Sequence, residues 1–163
     1  MKKSIITSAI LAAAGVLTLG LTANAATTTT ATFAVTANVQ ANCTIAAAPL
    51  AFGNYTGAVN NATSTITATC TNTTPYNVGL DAGTSTGATV TTRKMVNGSN
   101  TLGYSLFRDA AQTLNWGNTV GTDTLTGTGN GSSQSLTVYG QIPAAQFVTP
   151  GAYSDTITAT LTY

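Results

Sequence analysis

The 163-residue chain contains no histidine and no glutamate, and only nine charged side chains in all. Each absence closes off a class of chemistry. Without imidazole there is no Ser-His-Asp or Cys-His relay and no histidine metal ligand. Without glutamate, general acid–base work would fall to Asp81, Asp109, Asp123 and Asp155, which are scattered along the chain. The formal net charge of +1 gives no basic footprint for nucleic acid. Charged residues make up 6% of the chain, against roughly 25% in ordinary soluble domains. Threonine fills much of the difference, with 36 residues, 33 of them after residue 25. A threonine-, glycine- and alanine-rich chain is β-prone and poor in titratable groups. It reads as structural material, not an enzyme, with no cofactor and no metal.

The first 25 residues read as an address. Lys2 and Lys3 form a positive start, Ile5 to Leu21 is an almost unbroken apolar run, and Ala23-Asn24-Ala25 supplies small residues for a peptidase. This is the pattern of a secretory signal peptide cleaved after Ala25. A membrane anchor is the competing reading, since the run approaches spanning length. Thr7, Ser8, Gly15, Thr18 and Gly20 dilute it, and no basic stop-transfer cluster follows. Cleavage leaves 138 residues, enough for one domain with a core. Arg93, Lys94 and Arg108 then stand against four aspartates, a side-chain charge of −1. Cys43 and Cys70 both lie in the exported part. In an oxidising compartment two thiols without histidine point to one disulfide before a metal site or two buried free thiols. That bond would stabilise the fold by roughly 3–4 kcal/mol by restricting the unfolded chain.

After residue 25 there is no helical period. Short alternating segments separated by Gly, Asn, Asp and Pro predict a sandwich or barrel. Strands are expected at Leu50–Gly53, Ser64–Thr71, Tyr76–Leu80, Leu102–Leu106 (with Phe107 inward if a bulge intervenes) and Leu136–Ile142. Gly83–Gly87 and Gly121–Gly131 read as loops. Gly127-Thr128-Gly129-Asn130-Gly131 lacks the lysine and following helix of a phosphate cradle, so it reads as a hairpin connection. Arg93-Lys94 beside Asn97-Gly98 is expected as a solvated turn, and Arg108-Asp109 as a local charge pair at a strand end. Six Asn-x-Ser/Thr sequons carry little weight in so Thr- and Asn-rich a chain. A self-contained secreted sandwich that binds carbohydrate would use exposed aromatics such as Tyr55, Tyr76 and Trp116.

The two ends say more. In Asp155–Tyr163, Ile157, Ala159, Leu161 and Tyr163 fall on one face, and Thr156, Thr158, Thr160 and Thr162 on the other. This is a pleated, half-buried strand that runs to the last residue. Near the opposite end, Ala31, Phe33, Val35, Ala37 and Val39 alternate with Thr32, Ala34, Thr36, Asn38 and Gln40. This stretch precedes Cys43 and carries no charge to discourage edge pairing. Either Thr32–Gln40 is the first strand of its own sandwich, or it pairs with another subunit by strand addition. Burying Phe33, Val35 and Val39 would contribute roughly 2 kcal/mol each before ordering costs.

Taken in order, several blocks resemble the archaic chaperone–usher pilins of the spore coat U domain family. They are the alternating arm, Asn42-Cys43-Thr44-Ile45, Leu50-Ala51-Phe52-Gly53-Asn54-Tyr55 and Ile66-Thr67-Ala68-Thr69-Cys70. They continue with Leu102 to Ala111, then Trp116-Gly117, Tyr139-Gly140-Gln141-Ile142-Pro143 and Pro150 to Tyr163. The resemblance implies an all-β, incomplete immunoglobulin-like β-sandwich completed by donor-strand complementation. It implies three parts: a signal peptide (1–25), a donor-strand arm (26–41) and the pilin domain (42–163). Ala31, Phe33, Val35, Ala37 and Val39 would be donor side chains. Ile157, Ala159, Leu161 and Tyr163 would line the acceptor groove. Cys43 and Cys70 would form the family's disulfide. The implied partners are a periplasmic chaperone that meets the Tyr163 carboxylate, an outer-membrane usher, and further copies of the chain in a head-to-tail surface fibre. The remaining length holds no second binding domain, which favours a shaft subunit; a surface coat of the same domain is the other family reading.

Overall fold

The computed structural model describes residues 25–163, so the export signal expected over residues 1–25 lies, all but its last residue, outside the described residues. The chain divides after Ala37. Of the first unit, residues 25–37 carry no helix or strand and are exposed throughout. The strand expected over Thr32–Gln40 is therefore not formed. Alternation supplies two faces, but a strand exists only where its N–H and C=O groups meet a neighbour.

The second unit, residues 38–163, is all-β, with no helix among the described residues. Its strands are β1 (Cys43–Ala47), β2 (Asn60–Cys70), β3 (Pro75–Leu80), β4 (Arg93–Asn97), β5 (Asn100–Phe107), β6 (Leu125–Thr128), β7 (Ser133–Ile142) and β8 (Ala159–Thr162). They form two sheets, a five-stranded one in the order β1-β2-β7-β5-β4 and a three-stranded one in the order β6-β3-β8. Every pairing is antiparallel. The spine is β2 against β7, in register from Asn60↔Ile142 to Thr69↔Ser133.

The period of two decides what is inside. On β2, Ile66, Ala68 and Cys70 are buried while Thr65, Thr67 and Thr69 face outward, and Val138 and Ile142 of β7 join the inner set. Tyr76, Val78 and Leu80 of β3 meet Leu102, Tyr104 and Leu106 of β5 in one core. Alternation in β5 is unbroken, so Leu106 and not Phe107 points inward. Trp116 is fully buried, and its indole N–H donates to the Val78 carbonyl at 2.8 Å. Tyr76 is 2% exposed. Two of the three rings expected on a sugar-binding surface are thus core. Cys43 and Cys70 are bonded, and they are the first residue pair of the β1–β2 ladder.

Three expectations about loops and strands are corrected. The stretch read as a loop over Gly121–Gly131 contains β6, which pairs with β3 from Pro75↔Thr128 to Val78↔Leu125. Gly127 sits there because a Cβ would lie 2.4 Å from the Tyr76 ring, so its glycine marks a close approach in a strand. Leu50–Gly57 carries no strand, and Asp155–Thr158 stands outside the ladder that β8 makes with β3. In that interval Asp81 takes the place of a neighbouring strand: its Oδ1 accepts from the Thr158 amide at 2.9 Å.

The charged residues also differ from expectation. Arg93 is not a solvated turn residue but is 1% exposed. Its guanidinium donates to the carbonyls of Asp81 (2.8 Å), Val90 (2.7 Å), Leu80 (2.9 Å) and Trp116 (2.7 Å). The fork thereby gathers the end of β3, the chain before β4 and the Trp116 segment. Arg108 and Asp109 do not serve each other. Arg108 donates to the carbonyls of Thr122 and Thr124, while Asp109 accepts from the amides of Thr113 and Leu114.

Candidate functional site

Five strands face three, and the smaller sheet stops at β8. The inner face of the larger sheet is therefore left partly open. A cavity of about 590 Å³ reaches Ile66, Leu80, Tyr104, Leu106 and Val138, all core residues. Its walls are Ala47–Phe52 on one side and Tyr153–Ile157 with Ala159 on the other. A second cavity of about 890 Å³ continues between Gly53–Gly57 and Gln146–Ala152. Leu50, Phe52, Met95 and Tyr153 line both, so the two form one groove. Interiors are packed to crystal-like density, and voids larger than a water are few. A groove of this size running down to core side chains departs from that packing.

Neither wall belongs to a sheet along its length. Side chains hold them instead. The Ser64 hydroxyl donates to the Ala48 carbonyl at 2.6 Å, and the Asn60 amide to the Phe52 carbonyl at 2.9 Å. Phe52 meets Tyr104 edge-on, with ring centroids 6.1 Å apart. Gly140 makes this possible, because a Cβ there would sit 2.9 Å from both Leu50 and Phe52. Across the groove, the Asp155 carboxylate accepts from the Thr84 amide (2.9 Å), the Thr84 hydroxyl (3.0 Å) and the Tyr104 hydroxyl (2.7 Å). Ser154 bridges to Val96 of β4, so the second wall starts on one sheet and joins the other at β8.

These polar contacts set the electrostatics. Burial, and then the bond to Asp155, pushes the Tyr104 hydroxyl well above the usual tyrosine range. Burial also lowers Arg93, against the attraction of Tyr104 and the nearby aspartates. For Asp81, burial opposes ionisation. Its bonds from Thr158 and Gly83, with Arg93 nearby, outweigh this and hold its carboxyl below the ordinary value of 3.8. The signs give a pH profile. Stability from Asp81 is present above its unfolded value and lost as pH falls through its lower folded value. Stability from Tyr104 is complete below about pH 10 and lost as pH rises further. With no histidine and both cysteines bonded, Tm is expected to be flat from about pH 5 to 9 and to fall on both sides. Thermal melts of the wild type and of Tyr104→Phe check this, the variant losing much of the alkaline decline.

The sequence-derived site residues fall into place unevenly. Ile157 and Ala159 line the groove. Leu161 pairs in register with Val78 and packs against the core, and Tyr163 is 58% exposed; neither lines the groove. Ala31, Phe33, Val35, Ala37 and Val39 are all exposed, with Phe33 at 87%, Val35 at 83% and Val39 at 85%. Tyr153 and Asp155 were missed as wall residues, although Asp155 opens the alternating C-terminal run. Phe147, 91% exposed beside Gly57, was also missed, and no pattern around it marks it.

The profile of the Spore Coat Protein U domain matches residues 29–160. The chain belongs to the spore coat protein U domain family. Its match takes in residues 31–39, both cysteines and both groove walls. Among proteins similar to this spore coat U chain, Protein U of Myxococcus xanthus is 34% identical over 156 residues, covering 85% of this chain and 87% of that protein. In solved structures the fold resembles a chain of the CsuC-CsuE chaperone–tip adhesion subunit pre-assembly complex from archaic chaperone-usher Csu pili of Acinetobacter baumannii. The TM-score is 0.57 at 24% identity, over 77% of this chain and 40% of the matched chain. The spore coat U chain thus spans two fifths of the length of the matched Csu chain and shares its fold.

Proposed function

We propose that this chain is the structural subunit of a chaperone–usher surface pilus, polymerised by N-terminal donor-strand exchange. The groove carries the proposal: its floor is core, its walls lie largely outside either sheet, and it opens at the edge of the smaller sheet. Residues 31–39 of another copy supply an uncharged alternating strand whose apolar side chains are exposed. Ile157 and Ala159 contact the incoming strand, and Leu161 and Tyr163 extend the β8 edge beside it. Because donor and acceptor are different surfaces, each addition leaves a free groove at one end and a free arm at the other, which builds an open fibre. Before assembly a periplasmic chaperone fills the groove, and an outer-membrane usher exchanges it for the next arm. Residues 1–25 direct export, and the fibre supports adhesion and biofilm formation at the cell surface.

The test compares residues 26–163 with a chain starting at Gln40, both refolded without chaperone, by size-exclusion chromatography and negative-stain electron microscopy. The longer chain is expected to form ladders or filaments. The shorter one should stay small and bind a synthetic 31–40 peptide. A stable monomer from the longer chain, with a shorter chain that ignores the peptide, would overturn the proposal. Sheets in place of filaments would favour a surface coat.

A further inference from the structure

The outer face of the β1-β2-β7 layer carries a ladder of paired hydroxyls. Thr65, Thr67 and Thr69 stand directly opposite Thr137, Ser135 and Ser133. Inward neighbours such as Ile66, Ala68 and Val138 are buried, so these six hydroxyls point away from the core. Two nearby hydroxyls are engaged, Ser64 with the Ala48 carbonyl and Thr71 with Thr74. The six on the face make no hydrogen bond among the described residues. Like every strand but β4, these three carry no charged residue.

A face without charge meets a copy of itself without repulsion and without stranding an ion away from water. Its hydroxyls both donate and accept, so two such faces can satisfy each other in more than one register. Area decides what kind of contact results. Two strands about 35 Å long and a third about 17 Å long, about 4.8 Å apart, present roughly 420 Å². A pair would bury roughly 840 Å², under the roughly 1,200 Å² of stable complexes. One pair of subunits therefore stays apart, while a row of such faces along a fibre binds through many weak contacts at once.

We infer that this hydroxyl face is a lateral contact between copies of the chain, and that it zips assembled fibres into bundles. The inference rests on the pilus reading for its repeat but uses a surface separate from the groove. Thr137→Lys and Thr137→Glu place a charge at an exposed point of the face. Filaments of the wild type are expected in side-by-side bundles under the electron microscope. Either variant should give single filaments of unchanged length, and a mixture of T137K and T137E filaments should bundle again. Beads densely coated with residues 26–163 provide a readout that needs no polymerisation. Wild-type beads should cluster, T137K beads at least tenfold less, and mixed T137K and T137E beads should regain clustering. Wild-type filaments that stay single with dispersed beads, or T137K bundles and clusters equal to the wild type's, would overturn the inference. Bead clustering that T137K abolishes in a chain forming no filaments would support the face and count against the pilus reading alone.

Discussion

Arg93→Ala is expected to lower the stability of the folded domain by about 4 kcal/mol. Four carbonyls, those of Leu80, Asp81, Val90 and Trp116, take their hydrogen bonds from this one guanidinium. A buried acceptor left without a donor costs about 1–3 kcal/mol, with water entering the space recovering part of the sum. Arg93→Met fills the volume without restoring a donor and should lie close to the alanine variant. Arg93→Lys keeps one charge but not the planar fork, and should fall between. Total stability of domains this size is about 5–15 kcal/mol, and this one has an open groove. A fall in Tm of more than 10 °C is therefore expected. Urea unfolding at constant slope measures the loss directly. An alanine variant within 1 kcal/mol of the wild type would mean that the clamp is dispensable.

Phe33→Asp is expected to reduce filament yield more than 100-fold while leaving the melting of the subunit unchanged. Phe33 is 87% exposed, so its replacement removes no folded-state contact of its own chain. In a neighbour's groove the same position would carry an unpaired carboxylate among Ile66, Leu106 and Val138, which costs several kcal/mol at each junction. Phe33→Leu conserves the apolar side chain and should polymerise. A wild-type filament yield from Phe33→Asp would remove Phe33 from the donor face, whereas a lowered Tm would assign it to its own domain.

Where sequence pattern and structure agree, burial on one face enforced the pattern. In β2, β3, β5 and β7, a slip of one residue would turn Ile66, Val78, Tyr104 or Val138 to solvent, so alternation had to be strict and was readable. It was unreadable where the deciding partner is distant in sequence. Gly127 reads as a breaker until Tyr76, far earlier in the chain, is placed over it. Arg93 reads as a turn residue until three separate segments bring their carbonyls around it. Alternation at Phe33–Val39 and Leu50–Phe52 was legible as strand material, yet neither forms a strand here, because the pattern describes side-chain faces and not the presence of a neighbouring backbone. The groove itself had only indirect signals, an unprotected arm at one end and a long alternating run at the other. Ile157 and Ala159 were found that way. Asp155 was not, since its role depends on Thr84 and Tyr104.

The position of the disulfide bears on how such a subunit would carry load. In the fibre proposed above, tension would enter each domain at Asn42, where the arm would meet β1. A short antiparallel strand pulled from its end normally peels away one residue pair at a time, a route that needs little force. Here the first pair to be peeled is Cys43↔Cys70, and it is covalent. Force therefore bypasses β1 and passes into β2, the strand with the longest ladder in the sheet. There it is resisted by many hydrogen bonds at once. The subunit can be tugged by its arm without being unravelled from that end.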